Sequence, residues 1–364
     1  MLSDLELEKV ITQYSTQRNV YIEFGVKINN YITEKLKQSG IEDFLVKDRA
    51  KTIDSFKEKI VRPGKNYSDP FNQITDLCGV RIIVFYLDQI LHIEDILASE
   101  FIVDEKNSID KAKSLKPDTF GYLSVHYIVS LNEEKISSEE WEKFSNLKAE
   151  IQIRTRLQDS WATVSHALQY KSEADVPDIL KRRLFRLASL FELADEEFLA
   201  IKLASEKRLE EIEKQFAEGY KNISIDFLSI SQFLRKSTLM QEIINYARSF
   251  NTFKIDQGLL EHYNKMDCSL VTSECSRLNI KTIENLEQIL RKSDEGNQEF
   301  IRHISTGRNW RVTSSFILFL LIIKAFPEKF NTTYLASKYG WDYMVSKSVV
   351  DNAIKIKTKY NYRF

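Results

Sequence analysis

Apolar residues recur at mostly helical spacing among charged residues at the start of the chain: Ile11, Tyr14, Val20, Ile28 and Ile32. This pattern predicts helix for residues 1 to about 60. The pattern changes at residues 74 to 86, where the β-branched and aromatic run from Ile82 to Tyr86 indicates a buried strand. A second helix is expected from about Leu87 to Glu100.

Two further strands are predicted, from Val125 to Leu131 and from Ala149 to Arg154. In the later strand the polar residues Glu150, Gln152 and Arg154 alternate with isoleucines, so polar and apolar side chains fall on opposite faces. The polar face is either a functional surface or the solvated face of an antiparallel sheet.

The chain is predicted to be helical for a long way after Thr155, which is a plausible N-cap. Apolar residues form a helical stripe: Leu180, Leu184, Leu187, Leu190, Leu193 and Phe198. The segment from Ala200 to Phe216 is rich in Lys, Glu and Leu and indicates a long solvated helix. Helical stretches such as Ile280 to Leu290 and Phe316 to Ala325 follow.

These patterns predict an α+β fold. We expect a mixed β-sheet of about five strands flanked by helices in residues 1–205. A helical linker at 206–220 and a mostly helical C-terminal domain at 221–364 should follow.

Composition limits the location and the partners of the protein. The 364 residues carry 52 Lys and Arg against 53 Asp and Glu, so any site for a polyanion must come from local clustering. The three cysteines Cys78, Cys268 and Cys275 lack metal-ligand spacing and fit a reducing compartment. The N-terminus lacks the apolar core of a signal peptide, and the apolar run from Phe316 to Ile323 is shorter than the roughly 20 residues of a spanning helix. A cytoplasmic protein without membrane contact is expected.

A basic segment from Arg49 to Lys59 precedes the first predicted strand. Its cations could converge on a polyphosphate, and the flat guanidinium of Arg49 could stack on a purine. A solvated basic helix face is the plainer interpretation of this segment by itself.

Polar residues flank and interrupt the strand that follows. Asp76 stands at the mouth of the strand, a usual position for a Mg²⁺ ligand, and Gly79 would let the backbone approach a ligand. Arg81 lies inside an apolar strand, where an unpaired charge is costly. The segment fits either a functional site or a buried ion pair between Asp76 and Arg81.

Gly121 and Tyr122 indicate a loop whose ring could present its face to a base. Ser124 and His126 fall on one face of the next strand, so a functional loop and simple packing of the ring explain this segment equally well. His166, on the later helix, is more simply explained as a structural histidine.

Taken in order, these motifs resemble the synthetase domain of the RelA/SpoT family over residues 20 to 205. The matching motifs are Arg-x-Lys-x-x-x-Ser, Asp-Leu-x-Gly-x-Arg, Gly-Tyr-x-Ser-x-His, Glu-Ile-Gln-Ile-Arg-Thr and, after Trp161, His-x-x-x-Tyr-Lys. The resemblance implies a nucleotidyltransferase-like fold. It also implies an ATP-dependent pyrophosphokinase that makes (p)ppGpp from ATP and GDP or GTP with Mg²⁺.

The resemblance implies a role for each matching residue. ATP would be bound by Arg49, Lys51, Ser55, Lys59 and Arg81. The acceptor nucleotide would be bound by Tyr122, His126, Gln152 and Arg154. Asp76 and Glu150 would hold Mg²⁺ and be catalytic, with Glu150 also placed to help deprotonate the acceptor 3′-hydroxyl.

Two departures from the family pattern affect this interpretation. Too few residues precede Arg49 for the hydrolase domain of long family members, so a stand-alone synthetase is expected. The run His92-Ile-Glu94-Asp95 only superficially resembles the hydrolase motif and is interpreted as surface. Phe120 occupies a position where a small polar residue is common in the family, so the identity of the acceptor is left undecided.

Alternative functions share part of this evidence. One is a toxin of the same fold that pyrophosphorylates the 3′ end of tRNA and carries a C-terminal neutralising or phage-sensing domain. Another is a non-enzymatic binding protein, against which the intact Asp76, Tyr122, His126 and Glu150 argue. The near-neutral net charge favours a nucleotide acceptor over tRNA.

Residues 221–364 contain no clustered Asp, His or Cys residues, and we expect them to regulate the synthetase or to bind a partner. Partners consistent with the sequence are a regulatory protein, a second copy of the chain and tRNA. The basic, aromatic tail from Lys355 to Phe364 could contact RNA, although a packed or disordered terminus is the plainer interpretation.

Overall fold

The computed structural model describes residues 3–110, 124–168, 177–219, 222–255, 260–306 and 309–364. The chain divides into two compact units, Met1–Leu203 and Ala204–Phe364. Among the described residues, no helix has both the length and the apolar content needed to cross a membrane.

The first unit alternates helices with the strands of one sheet. Its elements are α1 (Asp4–Gln38), β1 (Phe44–Ala50), α2 (Ile53–Ile60), α3 (Pro70–Gln73), β2 (Cys78–Val84), α4 (Leu87–Glu100), β3 (Ile102–Val103), β4 (Ile109–Asp110), β5 (Val125–Ser130), α5 (Glu133–Ile136), β6 (Lys148–Thr155), α6 (Arg156–Leu168) and α7 (Asp178–Ala217). The last helix begins in the first unit and ends in the second.

The sheet is mixed, as predicted from the sequence. Its strand order is β1-β2-β6-β5-β3, with β4 also paired to β5. The central pair, β2 and β6, is parallel, and the other pairs are antiparallel. The sheet has six strands where about five were predicted, because β3 and β4 are only two residues long.

The prediction of continuous helix to about residue 60 is wrong. Helix α1 ends at Gln38, and Phe44–Ala50 forms an edge strand antiparallel to β2. Three consecutive residues of this strand, Lys47 to Arg49, are charged, so it lacks the apolar run that revealed β2. The basic segment is therefore divided among a strand, a turn and the helix α2.

Helix α1 packs against β1 and β2 through its buried residues, among them Tyr14, Phe24 and Ile28. Gly25 allows α1 to approach β1 closely, because a Cβ atom at position 25 would lie only 3.3 Å from the Cβ of Asp48. The amide of Asn29 then donates a hydrogen bond to Asp48 Oδ1 at 2.6 Å. The helix thus holds the edge strand in register with the sheet.

The second unit is mostly helical, as predicted. Besides the end of α7, it contains α8 (Phe227–Lys236), α9 (Thr238–Arg248), β7 (Phe253–Ile255), α10 (Leu260–Arg277), α11 (Ile283–Lys292), α12 (Asn297–Ser305), β8 (Trp310–Val312), α13 (Ser314–Ala325), α14 (Thr332–Tyr339) and α15 (Tyr343–Tyr360). Nearly all residues of α13 are buried, which explains its uniformly apolar sequence.

Among the described side chains of this unit, two charged ones, Glu274 and Lys324, are fully buried. Glu274 accepts hydrogen bonds from Tyr334, Tyr339 and Lys338 and forms an ion pair with Arg277. Lys324 donates to the carbonyl of Ser293 and to the side chain of Asn297, and burial lowers its pKa to about 7.

The C-terminal tail packs on the second unit. The hydroxyl of Tyr362 donates to the carbonyl of Lys324 at 3.1 Å, and the rings of Phe326 and Phe364 lie 5.0 Å apart. This basic, aromatic segment is therefore better described as a packed terminus than as an RNA-binding surface.

Candidate active site

Cross-strand register brings the predicted polar residues onto one face of the sheet. Gly79 of β2 lies opposite Arg49 of β1 on one side and Glu150 of β6 on the other. One step along, Gln152 of β6 lies opposite Arg81 of β2 and His126 of β5. Residues directly opposite each other share a face, so four strands contribute to a single surface.

Asp76, just before β2, is held by two lysines. Its carboxylate lies 2.8 Å from Lys51 Nζ and 2.8 Å from Lys59 Nζ. Burial acts to raise the pKa of Asp76, but the hydrogen bonds from the two lysines outweigh it and lower the pKa. The alternative of an ion pair between Asp76 and Arg81 is wrong, because Arg81 pairs with another residue.

The turn that carries Lys51 is anchored by helix α1. The hydroxyl of Tyr14 and Nε of Arg18 donate to the carbonyl of Lys51 at 2.8 and 3.0 Å. The amide of Lys51 donates to the carbonyl of Leu77, next to Asp76. Tyr14 and Arg18 are supporting residues that the sequence did not reveal, since on a long amphipathic helix they resemble ordinary core and surface positions.

Helix α2 presents Ser55 and Lys59 on the same side of this turn. Thr52 caps the helix, with its side chain accepting a hydrogen bond from the amide of Ser55 at 3.2 Å. Ser55 is exposed, and Lys59 lies one turn further along the helix. A lysine, a hydroxyl and the N-terminus of α2 are thus grouped near Asp76.

Glu150 is the centre of a buried hydrogen-bond chain along β6. Its Oε1 lies 3.1 Å from His126 Nδ1, and its Oε2 accepts from Gln152 Nε2 at 2.8 Å. Gln152 Oε1 in turn accepts from Arg154 Nη2 at 2.8 Å. Burial acts to raise the pKa of Glu150, but the hydrogen bonds from His126 and Gln152 prevail and lower it. This face is therefore not the solvated face of an antiparallel sheet.

Asp159 joins this chain to β2. Its Oδ1 accepts from Arg81 Nη1 at 3.0 Å and from Arg154 Nη1 at 3.2 Å. Asp159 could not be recognised as a site residue from the sequence, because an acidic residue in the first turn of a helix is common for purely local reasons. Asp159 lies one helical turn into α6, and its spacing from Arg154 could have indicated a contact between the two side chains.

A cleft of about 200 Å³ lies over β1 and β2 and is lined in part by Arg49, Arg81 and Gln152. The Arg49 side chain lies across Gly79, where an added Cβ atom would meet Arg49 Cγ at 3.6 Å. Lys47, which pairs with Arg81 in the sheet register, also lines the cleft. Lys47 was missed because its strand was predicted to be helix.

The end of β6 is secured by the helices that follow it. Thr155 is the N-cap predicted from the sequence, since its Oγ1 accepts from the amide of Gln158 at 3.1 Å. The same hydroxyl donates to Asp195 Oδ2 of α7 at 2.7 Å, and burial raises the pKa of Asp195 to about 6. Trp161 Nε1 donates to the carbonyl of Leu184, also on α7.

Some predicted residues lie outside the described part of the chain, namely Gly121, Tyr122, Tyr170 and Lys171. His166 is exposed on α6, and His92 is exposed on α4 as the sequence analysis expected. The three cysteines are buried thiols.

Two carboxylates suit a divalent cation at this site. The charge of Asp76 acts to raise the pKa of Glu150, so the two groups are near enough to repel each other. The described residues contain no group of three or more His, Cys, Asp or Glu side chains arranged to hold a metal. An ion held by Asp76 and Glu150 would complete its shell with phosphate oxygens and water, which is usual for Mg²⁺.

Comparison with known proteins identifies the family. Residues 48–175 match the family described as "Region found in RelA / SpoT proteins". The chain is 32% identical to the GTP pyrophosphokinase YwaC of Bacillus subtilis over 158 residues, which cover 43% of this chain and 72% of that protein. It is 31% identical to GTP pyrophosphokinase YjbM of the same organism over 210 residues, covering 55% of this chain and 90% of YjbM. The chain belongs to the RelA/SpoT family.

Solved structures also align with about half of this chain. One is the small alarmone synthetase 1 from Bacillus subtilis, with 28% identity, a TM-score of 0.43 and coverage of 55% of this chain and 99% of that one. Another is a GTP pyrophosphokinase family protein from Streptococcus pneumoniae, with 29% identity, a TM-score of 0.42 and coverage of 56% and 97%.

Proposed function

We propose that this RelA/SpoT protein transfers a pyrophosphoryl group from ATP to the 3′-hydroxyl of GDP or GTP. The products would be AMP and (p)ppGpp. The observation that supports this most is the grouping of Asp76 with its two lysines and Glu150 with His126 on the parallel pair β2 and β6. The two curated relatives, both named GTP pyrophosphokinases, support the same activity.

ATP would bind along the β1 and β2 side of the cleft. Arg49 and Arg81 both line it, and their flat guanidinium groups suit the two faces of an adenine ring. Lys51, Ser55 and Lys59 lie at one end of this surface and would bind the phosphates. Asp159 holds Arg81 by a charged hydrogen bond, which fixes the guanidinium before ATP arrives.

The acceptor would approach from the β5 and β6 side. His126, Gln152 and Arg154 lie there, and we propose that Tyr122 stacks on the guanine. The acceptor O3′ would attack the β-phosphorus of ATP, forming an O3′–Pβ bond while the bond from Pβ to the α–β bridging oxygen breaks. The electron pair of that bond leaves with AMP.

The proton of the 3′-hydroxyl would pass to the pair formed by His126 and Glu150. A carboxylate only accepts hydrogen bonds, so His126 donates through Nδ1, and in the neutral imidazole the lone pair then lies on Nε2. Within the described residues, Nε2 is buried and has no hydrogen-bond partner. The lowered pKa of Glu150 makes it a weak base by itself, so we assign proton acceptance to the pair.

Asp76 and Glu150 are the residues that would hold Mg²⁺. When bound, the ion would neutralise charge on the pyrophosphoryl oxygens. The protein's own contribution is alignment of the two nucleotides and neutralisation by Lys51, Lys59 and Arg154.

The proposal is tested by incubating the full-length chain with Mg²⁺, γ-labelled ATP and one of GDP, GTP or bulk tRNA. Thin-layer chromatography should show the label in a more highly phosphorylated guanosine nucleotide, with AMP formed in equal amount. Label in inorganic phosphate or pyrophosphate alone would contradict the proposal. Label found in tRNA and in neither guanosine nucleotide would identify tRNA as the acceptor.

The second unit is proposed to regulate this reaction. All the residues assigned to the site lie in Met1–Leu203. The chain ending after Leu203 should differ from the full-length chain in rate or in acceptor preference. A folded 1–203 fragment with the same rate and the same preference would contradict a regulatory role.

A further inference from the structure

Ser124, at the start of β5, is a buried polar residue to which the proposed mechanism gives no role. It directly precedes the strand and is only 2% exposed. Its Oγ is buried and, among the residues that the structure describes, has no hydrogen-bond partner. A buried hydroxyl without a partner is rare, because its removal from water costs free energy that no contact restores. The hydroxyl therefore points to a partner from outside the chain.

Ser124 belongs to the polar surface of the candidate active site. It stands two residues before His126, so both side chains are on the same face of the strand. In the antiparallel register His126 lies opposite Gln152. Extended by one residue beyond the paired part of β5, the same register brings Ser124 next to Arg154. Ser124 is thus on the acceptor side of the site.

The side chains around Ser124 are engaged with one another. Gln152 donates to Glu150 and accepts from Arg154. His126 uses its Nδ1 for Glu150, and its Nε2 is buried without a partner within the described part of the chain. Ser124 Oγ and His126 Nε2 are therefore two buried polar atoms, two residues apart on one strand, with which a substrate can pair.

We propose that Ser124 binds the 2′-hydroxyl of the acceptor ribose and makes the enzyme selective for ribonucleotide acceptors. This inference rests on the proposed function, in which the pair of His126 and Glu150 takes the proton of the acceptor 3′-hydroxyl. A ribose carries its 2′- and 3′-hydroxyls on adjacent carbons and on the same side of the ring, so their oxygens lie about a hydrogen-bond length apart. A 3′-oxygen held at His126 therefore leaves the 2′-hydroxyl within reach of a side chain next to His126 on the same face.

The direction of the 2′-hydroxyl follows from the two neighbours of His126 on its face of β5. On one side is Ile128, which is buried, apolar and opposite Glu150. His126 Nδ1 is directed to that side, because it contacts Glu150. On the other side is Ser124, whose hydroxyl can both donate and accept. A hydroxyl placed against Ile128 would lose its hydrogen bonds with water and gain none, so the 2′-hydroxyl is expected on the Ser124 side.

The contact would separate two classes of nucleotide that have the same base and the same phosphates. A 2′-deoxynucleotide has the 3′-hydroxyl needed for transfer but would leave Ser124 Oγ buried and unpaired. A site that pairs a substrate hydroxyl strongly rejects the analogue without it, because the unmatched polar group stays buried. Ser124 would also fix which hydroxyl reacts, since the 2′-oxygen is engaged and the 3′-oxygen is left for the attack on the β-phosphorus.

The test compares GDP and 2′-deoxy-GDP as acceptors for the full-length chain, with Mg²⁺ and γ-labelled ATP. For the wild-type chain, kcat/KM should be at least about tenfold higher with GDP. Ser124→Ala should lower kcat/KM for GDP by the same factor and should not lower it for 2′-deoxy-GDP, so the preference disappears. Ser124→Thr, which keeps the hydroxyl, should retain part of the preference. Ser130→Ala, at the other end of the same strand, is the matched control and should retain all of it.

Thermal unfolding separates this role from a structural one. Removal of a buried hydroxyl that has no partner should not lower the Tm, whereas removal of one that supports the fold should. A Ser124→Ala chain with a lower Tm and an undiminished preference for GDP would overturn the inference.

Two kinetic results would also overturn it. One is an equal loss with GDP and 2′-deoxy-GDP in Ser124→Ala, which would assign Ser124 to the base or the phosphates. The other is a wild-type chain that uses both acceptors alike. A chain that transfers the label to no guanosine nucleotide would contradict the proposed function itself, and this inference with it.

Discussion

Glu150 and His126 are joined across the antiparallel pair of β6 and β5, with His126 Nδ1 3.1 Å from Glu150 Oε1. The contact is diagonal, because the residue directly opposite His126 is Gln152. It holds the imidazole in one tautomer and keeps the carboxylate ionised at neutral pH. Under the proposed function, both groups would be in place before either nucleotide binds.

Replacing Glu150 by Gln tests this pair directly. The change keeps the size of the side chain but removes a charge and the acceptor for His126. Pyrophosphoryl transfer should fall by more than about a hundredfold, measured as kcat with labelled ATP. Glu134→Gln, an exposed change on α5, is the control and should leave kcat unaltered. A folded Glu150→Gln chain with near-normal kcat would remove Glu150 from the mechanism.

Asp159 should act as a positioning residue. Asp159→Asn keeps the shape but weakens the hold on Arg81 and Arg154, since hydrogen bonds to charged groups contribute about 1.5–3 kcal/mol. The KM for ATP should rise roughly tenfold or more, with a smaller effect on the KM for the acceptor. Asp159→Glu should recover part of the loss, and the exposed change Asp351→Asn should have none. Equal effects of Asp159→Asn on both KM values would argue for general disorder of the site.

Tyr122 lies outside the described residues, and its role remains a prediction from the family resemblance. If its ring stacks on the acceptor base, Tyr122→Ala should raise the acceptor KM about tenfold, because stacking contributes about 1–3 kcal/mol per base. Tyr122→Phe should retain the acceptor KM. A raised KM for ATP with an unchanged acceptor KM would assign the ring to the other substrate.

The buried Glu274 predicts a pH dependence of stability in the second unit. Burial acts to raise its pKa, but its hydrogen bonds with Lys338, Tyr339, Arg277 and Tyr334 lower it from 4.5 to about 2. A carboxyl whose folded pKa lies below its unfolded one contributes fully above pH 4.5, and the contribution is lost as the pH falls towards 2.

Glu274→Gln should therefore lower the free energy of unfolding by roughly 3 kcal/mol at neutral pH. Urea unfolding followed by tryptophan fluorescence measures the difference from wild type, which should shrink between pH 4.5 and 2. Glu295→Gln, an exposed change in the same unit, should show no such trend. A difference in unfolding free energy that stays constant down to pH 2 would contradict a lowered pKa of Glu274 in the folded state.

The strand β6 could be predicted from the sequence because alternation is a strong local signal. Glu150, Gln152 and Arg154 occupy every second position between isoleucines, and a strand is the structure in which those three residues share a face. Because alternate side chains of a pleated strand lie side by side on one face, these three residues are close enough to form their hydrogen-bond chain.

Strand β1 escaped prediction because its stability comes from elsewhere in the fold. Lys47 to Arg49 have no apolar pattern, and the strand exists through pairing with β2 and packing against α1 at Gly25. Such long-range support cannot be recognised from local composition. The same applies to Tyr14 and Arg18, whose contacts with Lys51 span more than thirty residues of chain.

The two lysines on Asp76 also determine how metal and nucleotide would bind. Lys51 and Lys59 neutralise the carboxylate in the resting chain, and under the proposed function the same lysines turn to the phosphates of ATP. Arrival of the triphosphate would thus free Asp76 for Mg²⁺. Coupling of this kind is reciprocal, so Mg²⁺ and ATP must each strengthen the binding of the other by the same factor. With two lysines against one carboxylate, the resting chain carries a net positive charge at Asp76, so under the proposed function a divalent ion would be repelled until the nucleotide draws the lysines away.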